Sequence, residues 1–300
     1  MTLDQARTLR AMNRGAPRPQ GQDRMTMKQE PANHVIAVSS GKGGVGKTQI
    51  VANLAVAFAR RGLRVLALDG DLGLSNLDMI LGAKPQSTLL DLLDGGARIE
   101  DIITECEDGL DLLAGCSGRY DLANLGAQER HGLFSAVDSL ESFYDVLLVD
   151  TGAGIGSNAV AFAAAAQTVL VVATPEPTSL ADAYGLIKVV HSQSGIKRFS
   201  LVANMVTNEA EGESIYQRLA TLANRFLGVG IDYVGAVPRD RTVRKAVHAG
   251  QPVTRLDPNA PASRCMTAIA RRLAETEHHR GERGGIQLFW KRLVGWRMVS

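Results

Sequence analysis

Gly41-Lys42-Gly43-Gly44-Val45-Gly46-Lys47-Thr48 is the stretch that decides the fold of this 300-residue chain. It fits G-x-x-x-x-G-K-[ST], a loop that turns its backbone N–H groups inward around a polyphosphate. Four glycines in eight residues give the backbone the freedom to do so. Lys47 is expected to reach the β- and γ-phosphates, and the Thr48 hydroxyl to bind Mg²⁺. The flanks suit the loop. Residues 34–39 read as a buried strand leading into it, and 49–59 as a helix whose positive N-terminal end faces the phosphates.

Beyond the loop, strands and helices alternate. Apolar runs at 64–69, 110–114, 144–150, 168–173, 199–204 and 231–237 predict strands. Helical spacing occupies 52–61, 128–142, 157–166, 179–195, 211–227 and 263–279. Continuous apolar strands between helices imply an α/β fold: a doubly wound, mostly parallel sheet covered on both faces. In such a sheet, ligands sit beyond the C-terminal ends of the strands. Asp69, Asp71 and Asp150 fall there. Asp150 closes the run 146–149 as a Walker B carboxylate does, so Thr48, Asp69 and Asp150 are the candidate metal set. An aspartate after a strand also serves as a helix cap or a turn residue, and for Asp71 that reading stays open.

With Lys42 included, K-G-G-x-G-K-T resembles the deviant Walker A motif of the MinD/ParA family of dimeric ATPases. The resemblance covers about residues 33–275. It implies that Lys42 crosses a dimer interface to the partner's phosphates, although a lysine there is equally a solvated surface residue. It implies that Asp71, in a first switch spanning 69–78, positions the attacking water. It makes 150–155 a second switch whose small residues let the backbone approach the γ-phosphate. Lys42, Lys47 and Asp71 are then the catalytic set. Gly41, Lys42, Gly43, Gly44, Val45, Gly46, Lys47, Thr48 and Gln49 surround the phosphates of ATP or ADP. Asn204, Pro238, Arg239 and Asp240 flank the adenine. An Asn after a strand is otherwise ordinary turn chemistry. No N-K-x-D motif stands at either place, which favours ATP over GTP.

The ends of the chain differ from its middle. Residues 1–32 carry six Lys/Arg against three Asp/Glu, and 280–300 carry five against one. The remainder holds 22 cationic and 27 anionic side chains, a net −5. Basic ends on an acidic body point to acidic contacts for those ends. Residues 1–14 have helical spacing and 15–33 read as a flexible linker, which leaves 34–279 for the ATPase domain and 280–300 for a tail. Asp4-Gln5-Ala6-Arg7-Thr8-Leu9-Arg10 matches the D-Q-A-x-x-L-R segment of the FlhG branch of the family, and the separate stretch 174–184 resembles that branch's version of the same stretch. In that branch the segment stimulates the GTPase FlhF, with Gln5 acting on the partner's nucleotide. In the tail, Ile286, Phe289, Trp290, Leu293, Val294 and Trp296 fall on one side of a helix beside Lys291 and Arg292, the pattern of an interfacial membrane anchor. The same helix packed on the protein's own core is the alternative.

Cys106, Cys116 and Cys265 show no zinc spacing and are expected to be reduced thiols. The N-terminus lacks an apolar signal run, and no stretch reaches the ~18 apolar residues of a spanning helix. The expectation is a cytoplasmic protein, peripheral on the inner membrane face at a cell pole. It would be an ATP-dependent homodimer regulating flagellar number and placement, with FlhF, C-ring proteins or a flagellar transcription regulator as partners. Two rivals are a MinD- or ParA-type positioning ATPase and a non-hydrolysing nucleotide-dependent scaffold. The acidic body argues against DNA as a partner.

Overall fold

The computed structural model describes residues 34–71, 75–88, 91–92, 96–107, 109–115, 140, 143–276 and 292. Gln5 and the six apolar residues of the tail lie outside these, as do Cys116 and all of the expected helix 128–142 except residue 140.

In chain order the elements are β1 (His34–Ser40), α1 (Lys47–Ala59), β2 (Val65–Gly70), α2 (Leu77–Leu81), α3 (Ile99–Ile102), β3 (Ile103–Glu107), β4 (Leu110–Leu113), β5 (Val146–Ala153), α4 (Ser157–Ala165), β6 (Thr168–Ala173), α5 (Pro177–Ser194), β7 (Arg198–Val206), α6 (Glu209–Leu227), β8 (Gly230–Pro238), α7 (Arg241–His248), α8 (Val253–Leu256) and α9 (Pro261–Thr276). The eight strands form one sheet in the order β3-β4-β2-β5-β1-β6-β7-β8. β1 lies inside it, parallel to β5 on one side and β6 on the other. From β1 the chain first winds outward to β2 and β4, then returns through β5 and winds the other way to β8. The crevice opened by that reversal lies at the C-terminal end of β1, where the glycine-rich loop begins.

Both faces of the sheet are covered, which explains the unbroken apolar strands. Alternate residues divide between two cores. Ile36 and Val38 join α1, α7 and α9 on one face. Val35 and Ala37 pack with α4 on the other, where α5 and α6 continue the layer toward β8. One strand departs from expectation. β3 pairs antiparallel with β4 at the sheet edge. Its run Ile-Thr-Glu-Cys-Glu is half-exposed and polar at alternate positions, so it lacks the apolar signature of its buried neighbours. The helices α7 and α8, between 241 and 256, also go beyond the helices expected from spacing.

Candidate nucleotide site

The glycine-rich loop takes the shape its composition allows. Gly44 and Gly46 have φ of 78° and 89°, a region strained for any residue with a Cβ. At Gly46 the fit is also steric, since an added Cβ would lie 2.5 Å from Asn204 Nδ2. Gly46 is the N-cap of α1, which places Lys47 and Thr48 in the first helical turn. The free N–H groups of that turn and the positive end of the helix make a seat for anions. Lys47 is buried, with 8% of its surface exposed. A buried ammonium beside a loop of N–H groups is matched by a polyphosphate.

Asp150 lies opposite this loop, in register with Val38 of β1 and Asp69 of β2. It accepts a hydrogen bond from the Thr48 side chain. Its Oδ1 is buried without a hydrogen-bond partner. Burial pushes this carboxyl up to about 7, and the nearby carboxylates of Asp69 and Asp71 push the same way, against the Thr48 hydrogen bond and the Lys47 charge. An orphaned, desolvated carboxylate oxygen beside a threonine hydroxyl fits a divalent cation. No group of three acids, histidines or cysteines among the described residues forms a ready-made metal cage. Such a site fits Mg²⁺, which keeps waters and takes phosphate oxygens to complete its shell.

Asp69 is tied to the loop that follows it. Its Oδ2 accepts from Ser75 Oγ at 2.6 Å and from the Asn76 and Leu77 N–H groups at 3.1 Å, and its Oδ1 from the Asp71 N–H at 3.1 Å. Burial pushes its carboxyl up, and these four hydrogen bonds oppose that shift. The described bonds of Asp69 thus hold the loop 71–77 onto the end of β2. Asp71 itself is half-buried beside the second switch: a Cβ on Gly152 would sit 3.6 Å from Asp71 Oδ1. Thr151 anchors that switch by donating its hydroxyl toward the Val38 carbonyl at 3.1 Å, and Gly154 donates its N–H to the Ser40 carbonyl at 2.8 Å. Beyond it, Ile155 is 58% exposed.

Lys42 points away from its own loop. Its Nζ bonds Glu176 Oε2 at 2.6 Å and Thr178 Oγ1 at 3.1 Å, at the start of α5. The hydrogen bond from Lys42, and then its charge, hold the Glu176 carboxyl below its usual range, and Arg239 adds to the effect. Neither Glu176 nor Thr178 was a candidate from sequence. Both fall in the stretch 174–184 noted from sequence, just past the C-terminal end of β6, but neither was singled out there.

The residues expected around the base come together on the β7 and β8 side. Asn204 Nδ2 donates to the Val45 carbonyl at 2.7 Å, so its amide shapes the phosphate loop. Arg239 Nε donates to the carbonyl of Met205, a residue held at φ 59°. Pro238 ends β8. Asp240 caps two helices, accepting from Thr242 N in α7 at 2.7 Å and from Ala262 N in α9 at 3.1 Å. These bonds hold its carboxyl low despite the upward push of burial.

Comparison with known proteins agrees with this geometry. Residues 36–253 match the model of the CobQ/CobB/MinD/ParA nucleotide binding domain. The antiactivator FleN of Pseudomonas aeruginosa is 41% identical over 89% of this chain and 97% of its own length. The flagellum site-determining protein YlxH of Helicobacter pylori is 37% identical over 86% of this chain and 89% of its own. Among solved structures, the septum site-determining protein MinD complexed with Mg-ADP from Pyrococcus horikoshii superposes with a TM-score of 0.65 at 25% identity, covering 83% of this chain and 99% of that one. MinD in the MinC:MinD complex of Aquifex aeolicus gives 0.63 at 30% identity, over 81% of this chain and 96% of that one. With its phosphate loop, its strand-end carboxylates and a match over most of its length, the chain belongs to the CobQ/CobB/MinD/ParA family of nucleotide-binding domains.

Proposed function

We propose that this protein is an ATP-driven dimerising switch that regulates flagellar number and placement. It acts at the cytoplasmic face of the membrane together with an FlhF-like GTPase. The observation that carries the switch reading is the pairing of Lys42 with Glu176: the second lysine of the loop stands at the surface, bound to its own chain and available to exchange partners. The flagellar role is supported by likeness to an antiactivator and to a flagellum site-determining protein over nearly their whole lengths. The N-terminal Asp4–Arg10 pattern supports the GTPase partner, and the apolar face with two tryptophans at 286–296 supports a membrane contact.

In this reading Lys47 and the N–H groups of the loop bind the phosphates. Thr48 and Asp150 hold Mg²⁺, which when bound neutralises charge on the phosphoryl oxygens. Asp71 orients water, and Gly152–Ile155 closes on the γ-phosphate side. Asp69 keeps the first switch loop at the strand end so that Asp71 has a defined place. Loss of the γ-phosphate releases both switch loops and with them the dimer.

The deciding experiment pairs ATP turnover of the full chain with GTP turnover of its FlhF-like partner. Gln5→Ala is expected to leave the first intact and to lower the second. If a peptide of residues 1–14 also leaves GTP hydrolysis unchanged, the GTPase partnership is wrong. The nucleotide site is untouched by that result.

A further inference from the structure

Next to the first switch, the surface carries a feature that nucleotide binding does not use. α2 is a five-residue helix hung at both ends. At its start, Asp69 holds Asn76 and Leu77. At its end, the Leu81 carbonyl accepts from Arg255 Nη1 at 3.2 Å, and Arg255 in turn pairs with Glu107 at 3.0 Å. Leu77 and Leu81, one turn apart, face the core. Met79, two residues from each, must then point out, and it is 66% exposed.

The turn that follows α7 meets the C-terminal end of this helix. A Cβ on Gly82 would lie 3.4 Å from the Gly250 carbonyl, and one on Gly250 would lie 3.6 Å from the Met79 carbonyl. One turn before Gly250, Val247 is 49% exposed. α7 turns Ala246 inward and presents Arg241, Arg244, Lys245 and His248 to solvent. From Arg241 through Leu256 the chain has no Asp or Glu. Among the described residues none pairs with Arg241, Arg244 or Lys245 in a salt bridge. Besides Glu107, which pairs with Arg255, three acids adjoin these elements in sequence. Asp240 and Asp257 accept backbone N–H groups, and Asp78 sits in the first turn of α2, where the helix end favours it.

We infer that the α2–α7 face is a docking surface for an acidic, amphipathic segment of a partner protein. Two exposed apolar side chains beside a one-signed cationic helix match an apolar ridge flanked by carboxylates. Methionine is suited to such a centre because its side chain adapts to the shape it meets. A nucleic acid would use the cations and leave Met79 and Val247 uncovered, so the apolar pair favours protein. The inference rests on the switch reading in one respect. Because α2 starts on Asp69, next to Asp150, the state of the nucleotide site bears on the apolar half of the face. Nucleotide therefore tunes the affinity for the partner.

The test is fluorescence anisotropy of the full-length chain with a labelled helical peptide of alternating Leu and Glu turns. Poly-glutamate of equal charge and a short DNA duplex serve as competitors. The peptide is expected to bind at least about tenfold more tightly than poly-glutamate, a difference of one decade in Kd. Both Met79→Ser/Val247→Ser and Arg244→Glu/Lys245→Glu should weaken it by about tenfold or more, and ADP and a slowly hydrolysed ATP analogue should give different Kd values. Equal binding of poly-glutamate or duplex overturns the inference, as does a peptide affinity indifferent to either double variant. Met79→Gln, which keeps the side-chain length, replaces the serine variant if that one lacks a cooperative melt. ATP turnover is read on the same preparations. Its absence sinks the ATPase reading, while the peptide arms are still read on nucleotide-free protein.

Discussion

Lys42 Nζ lies 2.6 Å from Glu176 Oε2, so the lysine that distinguishes this phosphate loop is held by the opening turn of α5 in the same chain. Both side chains are substantially exposed, and the pair therefore contributes little to stability. Its importance lies in what it competes with. Glu176→Gln is expected to leave the melting temperature nearly unchanged and to favour the ATP-dependent dimer. Lys42→Ala should keep nucleotide binding and lose both dimer and turnover. Sedimentation with and without ATP reads both variants, and a Lys42→Ala dimer with normal turnover would refute the role of Lys42 across the interface.

Asp150 carries a pH signature. Its carboxyl is pushed up to about 7, above its ordinary value of 3.8. A raised acid favours the folded state below its unfolded value, and that contribution is lost as pH rises through about 7. The ligand-free protein should thus lose stability between about pH 4 and 7. At pH 8, Asp150→Asn should stabilise it by up to about 4 kcal/mol, the equivalent of three pKa units. The same variant should abolish Mg²⁺-dependent turnover. Thermal melts at pH 5 and 8 without nucleotide provide the check, and a variant less stable than the parent at pH 8 would contradict the argument.

Asp69 and Asp71, two residues apart, should respond in opposite ways to alanine. The bond from Asp71 to Asp69 uses the Asp71 backbone N–H, which Asp71→Ala retains. That variant should fold normally and accumulate as an ATP-bound dimer. Asp69→Ala removes the acceptor of four hydrogen bonds. Each buried donor left unsatisfied costs about 1–3 kcal/mol, so this variant should melt well below the parent. Melting curves and sedimentation together separate the two. Similar melts for both would mean that the loop does not depend on Asp69.

The tail should bind anionic vesicles in an ATP-dependent way. One short helix is marginal, because ordering about a dozen residues at ~1 kcal/mol each offsets most of the apolar gain. Two tails on one dimer act together, and avidity raises binding by about 10²–10⁴. Co-sedimentation of the full chain and of residues 1–284 with ATP measures the difference. Equal pelleting would place the anchor elsewhere.

Most of the sheet was legible because the interior strands are buried and β8, though at an edge, still carries an apolar run over 231–237. β3 escaped because an edge strand is half solvated, and its glutamates look like loop. At the site, Lys47, Thr48 and Asp150 could be read from spacing, since phosphate chemistry fixes their separation along a strand, loop and helix. The partners of Lys42 could not, because Glu176 is 134 positions away in sequence and meets it only through the order of β1 and β6. Asn204 lies inside β7, two residues before its end, and Asp240 follows the end of β8 by two. Their hydrogen bonds to Val45, Thr242 and Ala262 depend on the crowding of the crevice, which residue spacing does not encode.

The bond from Asn204 to the Val45 carbonyl joins β7 to the phosphate loop across the whole width of β6. The loop is consequently shaped by a strand two places away from its own in the sheet. Occupancy of the loop should slow amide exchange along β7 as well as in α1. Loosening β7 and β8, which carry the residues expected around the base, should release nucleotide before it unfolds β2 and β4. In this chain the grip on phosphate is a report on the integrity of the far half of the sheet.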